Sequence, residues 1–597
     1  MFLALALSAG TADPAATAAV RARLPEDEVI YFLLPDRFDN GDRGNDRGGL
    51  KGDRLQTGFD PAAKGFYHGG DLKGLIGRLD YLEGLGVTAI WLSPIFVNKP
   101  VQGPKDDKSA GYHGYWITDF TTVDPHLGTD ADFAALVAKA HARGMKVYMD
   151  IIANHTADVI QPAECVADPA CKYRSRADYP YQRRGSVNGA PINPGFLGEQ
   201  VTTEANFARL NDPNFATTVR VPPAEAHIKK PEWLNDPIYY HNRGNSSFNG
   251  ESSTVGDFSG LDDLMTENPR VVRGMIDIYA AWIDRGIDGF RVDTQKHVNP
   301  EFWAQWAPAM MAHAKARGIP NFTIFGENYT DSMEPGQTAI RNRVDKMPNV
   351  LDFPFARAVV DTVGGKASPQ ELGALFAQDG LYEQGEATAR SNPTFLGNHD
   401  AGRFSQFVAK GSPSASPAER LARVELGYAM LLTLRGVPTI YYGDEQGFVS
   451  DGGDQLARED MFGSKVAVYN DNMLLGTAAT TATARFDRTH PLYRMIGDLA
   501  RLRAATPALR RGAQVTRSAE GDVPGLFSAS RFDPVDGHEV LIVFNTSNAA
   551  IERNVEVAVS SERFTALAGN CAPTAQAPGS VRVSLPAFGY AVCEANR

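Results

Sequence analysis

The chain lacks any apolar run approaching the ~20 residues that span a bilayer, lacks a basic excess, and has only four cysteines. A formal net charge of −12 over 597 residues argues against nucleic acid or an anionic membrane as partner. It is compatible with a neutral substrate and with bound cations. No Gly-x-Gly-x-x-Gly opens a helix after the first predicted strand, which disfavours a dinucleotide fold. The cysteines fall in two local sets, Cys165 with Cys171 and Cys571 with Cys593. Their spacing does not match a Cys-based zinc site. It suits two disulfides in an oxidising compartment; the alternative is four reduced, buried thiols.

What is present exceeds one core, so two or three domains are expected. Residues 1–27 read as a signal-peptide remnant and flexible leader: Met1 to Gly10 is apolar and small, and an Ala- and Pro-rich stretch follows. The basic start of a signal peptide is missing and the apolar run is short, which a misplaced start codon would explain. Export to the periplasm or the medium is the expectation.

Beyond the leader, short apolar runs alternate with segments of helical spacing, several closed by Gly. The predicted strands are Val29–Leu34, Val87–Leu92, Lys146–Ile151, a short buried one within the Gly286–His297 stretch, Phe322–Phe325, Val350–Phe353, Thr394–Leu396 and Pro438–Tyr442. Predicted helices include Asp71–Leu85, Asp130–Arg143, Asn268–Arg285, Glu301–Arg317, Ala418–Leu434 and His490–Ala505. Eight strands with intervening helices predict an α/β fold, a (β/α)8 TIM barrel. The pattern breaks over residues 156–257, a stretch rich in Pro, Asn, Gly and Tyr that is too long for an ordinary loop. The domain expectation is therefore a barrel over 28–155 and 258–510, an inserted domain over 156–257 after strand 3, and a C-terminal antiparallel β domain over 511–597. In that last segment, runs such as Glu539–Phe544 carry the β signal.

Three carboxylates stand just past predicted strands four, five and seven: Asp293, Glu327 and Asp400. In a barrel such ends converge on one mouth. Cleaving a glycosidic bond needs one carboxylate as nucleophile and one carboxyl as general acid. Arg291 and Asp293 are two apart, so on a strand they share a face. A guanidinium beside the carboxylate is expected to keep it ionised at neutral pH. Each acid by itself could be a solvated loop residue; three at one barrel end, beside Arg and His, point to a site.

The ordered motifs Asp150-x-x-x-Asn154-His155, Gly289-Phe-Arg-Val-Asp293-x-x-Lys296-His297, Gly326-Glu327-Asn328 and Asn398-His399-Asp400 resemble those of the α-amylase family of glycoside hydrolases. The Gly86–Pro94 and Gly436–Glu445 stretches and Leu261-Asp-Asp-Leu264 extend the resemblance over residues 28–510. It implies Asp293 as nucleophile, Glu327 as general acid/base and Asp400 as transition-state stabiliser. It implies that Arg291 orients the nucleophile, that His155 and His399 bind the sugar at the cleavage point, and that Tyr112 stacks on that sugar. Lys296 and His297 would line the leaving-group side, with Tyr329 stacking an acceptor sugar.

The resemblance also implies calcium at one or two sites. One would use Asn154, Asp263 and the His297 carbonyl. The other, similar to a site of cyclodextrin glucanotransferases, would use Asn40, Asp42, Asn45, Asp46, Gly69 and Asp71. Two departures are Asp262 where Pro is usual, and Ser259 where cyclising members carry Tyr or Phe. The implied activity is retaining hydrolysis of α-1,4 bonds in starch-like glucans or maltooligosaccharides, by a monomer. The alternatives are a glucanotransferase, an exo-acting enzyme releasing one product length, and an inactive glucan-binding protein.

Overall fold

The computed structural model describes residues 14–104, 107–165, 170–519 and 521–596. Eight parallel strands form one sheet: β1 (Ile30–Leu33), β2 (Ala89–Leu92), β3 (Lys146–Ile151), β4 (Gly289–Val292), β5 (Thr323–Gly326), β6 (Asn349–Val350), β7 (Pro393–Thr394) and β8 (Val437–Tyr441). Their order is β6-β5-β4-β3-β2-β1-β8-β7, all pairs parallel. The two outer strands are joined without a ladder: Asp352 N–H donates to Pro393 O (2.9 Å) and Val350 N–H to Asn392 Oδ1 (3.1 Å). This closes the TIM barrel that the strand–helix alternation predicted.

Every residue of β1 to β8 is buried. Parallel strands covered on both faces read as unbroken apolar runs, which is why the longer ones were visible in sequence. The shorter ones were not. Of the predicted sixth strand only Val350 is in the strand, which is Asn349–Val350; Asp352 accepts from Phe355 N–H and starts a helix at Phe353. The seventh is Pro393–Thr394 rather than Thr394–Leu396.

The wrapping helices include α1 (Pro14–Ala22), α2 (Asp130–Ala142), α3 (Pro269–Asp284), α4 (Pro300–Ala316) and α5 (Gly336–Val344). Thr129 and Asp132 form a capping box at the start of α2, the arrangement that satisfies otherwise orphaned N–H groups. Gly144 (φ +76°) and Gly286 (φ +104°) turn the chain from α2 and α3 into the next strands, a conformation glycine adopts without a Cβ penalty. The helix predicted over Asp71–Leu85 is two short helices, Leu72–Gly77 and Leu79–Gly84, broken at Arg78. Gly74 and Gly77 weaken the first of them.

The expectation of a flexible leader is corrected for residues 14–27. They form α1 and a 3-10 turn, Pro25–Asp27. Arg21 Nε lies 2.9 Å from the fully buried Asp288, and Arg23 and Lys146 both pair with buried Glu28. The signal-peptide reading falls on residues 1–13, outside the described residues.

Residues between β3 and β4 contain short strands, 3-10 turns and a separate apolar cluster of Tyr181, Phe196, Phe207, Leu210, Phe215, Ala216 and Met265. Cys165 and Cys171 are disulfide-bonded, as are Cys571 and Cys593. After the barrel come β9 (Ala513–Ala519), β10 (Leu526–Phe532), β11 (Glu539–Asn545), β12 (Ile551–Glu556), β13 (Phe564–Ala568), β14 (Ser580–Leu585) and β15 (Tyr590–Ala595). A five-stranded antiparallel sheet, β9-β10-β11-β15-β13, faces the pair β12-β14 across Leu541, Val543, Val555, Val581 and Val583.

Candidate active site

Parallel register sets the site. Arg291 on β4 lies beside Asp150 on β3 and Phe325 on β5. Its Nη1 donates to Asp150 Oδ1 and Oδ2 (2.8 and 2.9 Å) and to Asp293 Oδ1 (2.8 Å). Its Nη2 lies 2.9 Å from Glu327 Oε1. Thr294, just after Asp293, donates its N–H to Glu327 Oε2 at 3.1 Å. One buried guanidinium therefore gathers three carboxyl groups from three neighbouring strand ends. Asp400 approaches from the loop after β7, where Arg458 Nη2 holds Oδ1 at 3.1 Å; its side chain is 42% exposed.

Asp293, Glu327, Asp400, His155, Lys296, His297 and Tyr329 all line one cleft of about 1090 Å³. Its walls include Tyr115, Trp116, Phe248, Phe258 and the Cys165–Cys171 bridge. Its size suits a multi-residue ligand rather than a lone small molecule. Arg291 pulls Asp293 toward the ionised form as expected, but other groups oppose it. Burial pushes the Asp293 carboxyl well above the usual range; Arg291 opposes this, while Glu327, Asp150 and Asp400 add to it. Burial likewise pushes Asp150 up to about 7, against the pull of Arg291. Carboxyls crowded like Asp150 and Asp293 do not titrate independently of each other.

The imidazoles go the other way. Burial holds His155 down at about 4 and His399 well below its ordinary value, so both are neutral near pH 7. His399 Nε2 meets Tyr115 Oη at 2.7 Å, and its Nδ1 is buried without a partner. His155 Nε2 contacts Tyr115 O at 3.3 Å.

Tyr112 is not at the sugar face of this cleft. It is 1% exposed, roofed by the Arg37 guanidinium 3.8 Å from its ring, and bonded through Oη to Arg458 (3.3 Å). Tyr115, three residues on in the same Tyr-His-Gly-Tyr run, lines the cleft and donates to Asp150 Oδ2 at 3.0 Å. The aromatic-rich run was visible in sequence; which of its two tyrosines faces the cleft was not. Arg458 was missed altogether, because it lies in an aperiodic loop after β8. Elsewhere in the cleft, Lys296 Nζ donates to Tyr329 O (2.9 Å) and His297 Nδ1 contacts Ser253 O (2.9 Å). Tyr329, 41% exposed, sets its ring edge-on to Phe353.

The two expected cation cradles are distinguished by their oxygens. In the N-terminal loop, Asn40 Oδ1 and Asn45 Oδ1 are buried without partners. Burial pushes Asp46 and Asp71 up, and a Cβ at Gly69 would sit 2.7 Å from Asp46 Oδ1. Orphaned carbonyl oxygens beside buried carboxyls are the donor set of a hard cation, so these residues fit. Asp42 stands apart: its carboxylate meets Lys73 Nζ (2.6 Å) and Gly44 N–H (2.9 Å) on the exposed side. At the insert, Asp263 pairs in register with His155, and Leu264 N–H donates to Asn154 O. Burial pushes Asp263 up to about 7 and Asp257, which faces it, well above its ordinary value. That oxygen set also fits, although Asp263 Oδ2 already meets His241 Nδ1 at 2.7 Å.

Residues 32–512 match the family model described as the α-amylase catalytic domain. The chain is 46% identical over 572 residues to an α-amylase of Streptomyces lividans, covering 95% of this chain and 60% of that protein. It therefore spans about three fifths of that relative's length. Among solved structures it resembles the α-amylase of Geobacillus thermoleovorans complexed with acarbose (TM-score 0.67, 25% identity, 96% of this chain and 99% of that one). It also resembles a cyclomaltodextrin glucanotransferase with a three-domain ABC distribution (TM-score 0.69, 26% identity, 96% and 99%).

Proposed function

The chain belongs to the α-amylase family, and on that premise we propose that it is a retaining hydrolase of α-1,4-glucosidic bonds in starch-like glucans or maltooligosaccharides. The observation that carries the reading is the single guanidinium shared by Asp293 and Glu327. Double displacement needs the two carboxyls ~5–5.5 Å apart, without the gap that admits a water between them. Glu327 bonded to the residue after Asp293 supports that closeness.

In this reading the Asp293 carboxylate attacks the anomeric carbon while Glu327 protonates the departing oxygen. Asp400 faces the positive charge that develops on the ring. The neutral imidazoles of His155 and His399 hold ring hydroxyls, and Tyr115 offers its face to the sugar in place of Tyr112. Glu327, now ionised, then takes a proton from the water that releases the glucosyl group.

Asn40, Asn45, Asp46, the Gly69 carbonyl and Asp71 would hold one calcium, with Asp42 turning in from Lys73. Asn154, Asp263 and the His297 carbonyl would hold another. When bound, the ion supplies positive charge that ties the loop or the insert to the barrel. Two disulfides and a net charge of −12 support an exported protein acting on a neutral glucan, and we take the acting species to be a monomer.

Exposed Tyr329 and the glucanotransferase likeness favour a second reading, transfer to an acceptor sugar; Ser259 argues against efficient cyclisation. Chromatography of products from soluble starch, maltoheptaose and β-cyclodextrin tests both. Chains longer than the substrate would identify transfer, and no turnover of any of them would refute the hydrolase.

A further inference from the structure

Two residues past Asp293, the chain buries an amide. Gln295 is fully buried at the end of β4, entered through Thr294 in the left-handed region (φ +48°). Its two polar atoms serve different segments. Nε2 donates to Asp345 Oδ2 at 2.7 Å, and Oε1 accepts from Asn328 Nδ2 at 2.8 Å. Its own carbonyl accepts from Trp303 Nε1 on α4 (3.0 Å). Asn328 is the neighbour of Glu327, and Asp345 closes α5, the helix that follows the loop carrying Glu327.

The amide also occupies the space above Gly326, the residue before Glu327. A Cβ there would come within 2.5 Å of Gln295 Cδ. Gln295 therefore packs over the backbone of the residue before Glu327 and bonds the side chain of the residue after it. The Glu327 carboxylate has bonds of its own, to Arg291 and to Thr294 N–H. These aim its tip, its own N–H donates to Val292 O (2.9 Å) at the end of β4, and Gln295 holds the residues on either side. A carboxamide donates to a carboxylate and accepts from a carboxamide at once without having to titrate.

We propose that Gln295 is a positioning residue for Glu327, locking the end of β5 to the end of β4 so that the acid's proton sits at the scissile oxygen. The proposal rests on the hydrolase reading above. Its consequence is selective: losing the lock costs most where the leaving group needs a proton and least where it does not.

The test compares wild type with Gln295→Met, of similar size but without the amide. Two substrates are used: maltoheptaose, and a 2-chloro-4-nitrophenyl α-maltotrioside whose phenolate departs unprotonated. The expected result is a drop in kcat/KM of about 10²-fold on maltoheptaose, the scale of an ångström's misplacement, with the aryl substrate little changed. Should Gln295→Met fail to fold, Asn328→Ala removes the other end of the same bond and is expected to show the same selectivity. An equal loss on both substrates, or none on either, overturns the role of Gln295 while leaving the hydrolase reading standing. A wild type inactive on both overturns the two together.

Discussion

At the N-terminal ends of the barrel strands, buried acids have cations of their own. Asp288 meets Arg21 and His141, Glu28 meets Arg23 and Lys146, and Asp27 meets Arg510 and Arg511. At the C-terminal ends the ratio reverses: Asp150, Asp293 and Glu327 crowd one guanidinium, with Asp400 beyond it on Arg458. The first arrangement cancels charge and serves stability. The second crowds several carboxyls on one cation, which costs stability and serves chemistry.

The largest test of that contrast is Asp293→Asn. Turnover of soluble starch should fall by at least about 10³-fold with melting temperature unchanged or raised, since one like charge leaves a crowded set. Residual activity near wild type in the purified variant would remove Asp293 from the mechanism. At the other end, Arg21→Met leaves Asp288 short of a partner. Denaturant unfolding should show a loss of about 3 kcal/mol with kcat at low temperature unaltered; an unchanged midpoint would mean that α1 holds nothing in place.

Chelation ranks next. A cation at 100 times its dissociation constant stabilises by about 2.7 kcal/mol, so a chelator should lower the melting temperature, and Asn45→Ala should shrink that drop. A melting curve indifferent to chelator would count against both cradles. The pH dependence is smaller and has a definite sign. Asp150 has its folded value raised to about 7, so the folded state binds the extra proton. Its contribution therefore declines as pH rises from about 4 to about 7, opposite to a carboxylate whose value is lowered. Asp150→Asn should flatten that decline, and an identical slope in both proteins would refute it. Smallest of all, Tyr112→Phe loses only the bond to Arg458 and should change kcat/KM by less than about 3-fold, whereas Tyr115→Phe loses two bonds and should change it more. The reverse order would mean that the Tyr112–Arg458 bond matters more to turnover than the two bonds of Tyr115.

Legibility in sequence followed physical cause. β3 was readable to the residue because Val147, Tyr148, Met149 and Ile151 form a compact apolar run just after the Gly144 turn, although the strand also buries Lys146 and Asp150. β6 and β7 were not: two residues carry no period, and Asn392 and Pro393 complete the sheet through single bonds. α1 was obscured because an Ala-rich stretch resembles a leader until buried Asp288 gives Arg21 a partner. The three acids and their order were legible because each follows a strand. Arg458 was not, since the loop carrying it gains meaning only by folding back to Asp400.

By itself, then, the sequence determined the alternation that builds a barrel, the acids at its strand ends, the oxygen-rich N-terminal loop and the local cysteine pairs. These are properties of neighbours along the chain, where period, capping and composition act. The tertiary structure decided that Tyr115 rather than Tyr112 faces the cleft, that Arg291 holds three carboxyls at once, and that Gln295 braces Glu327. Those depend on which strand end lies beside which, and burial and through-space charge are set by that adjacency alone.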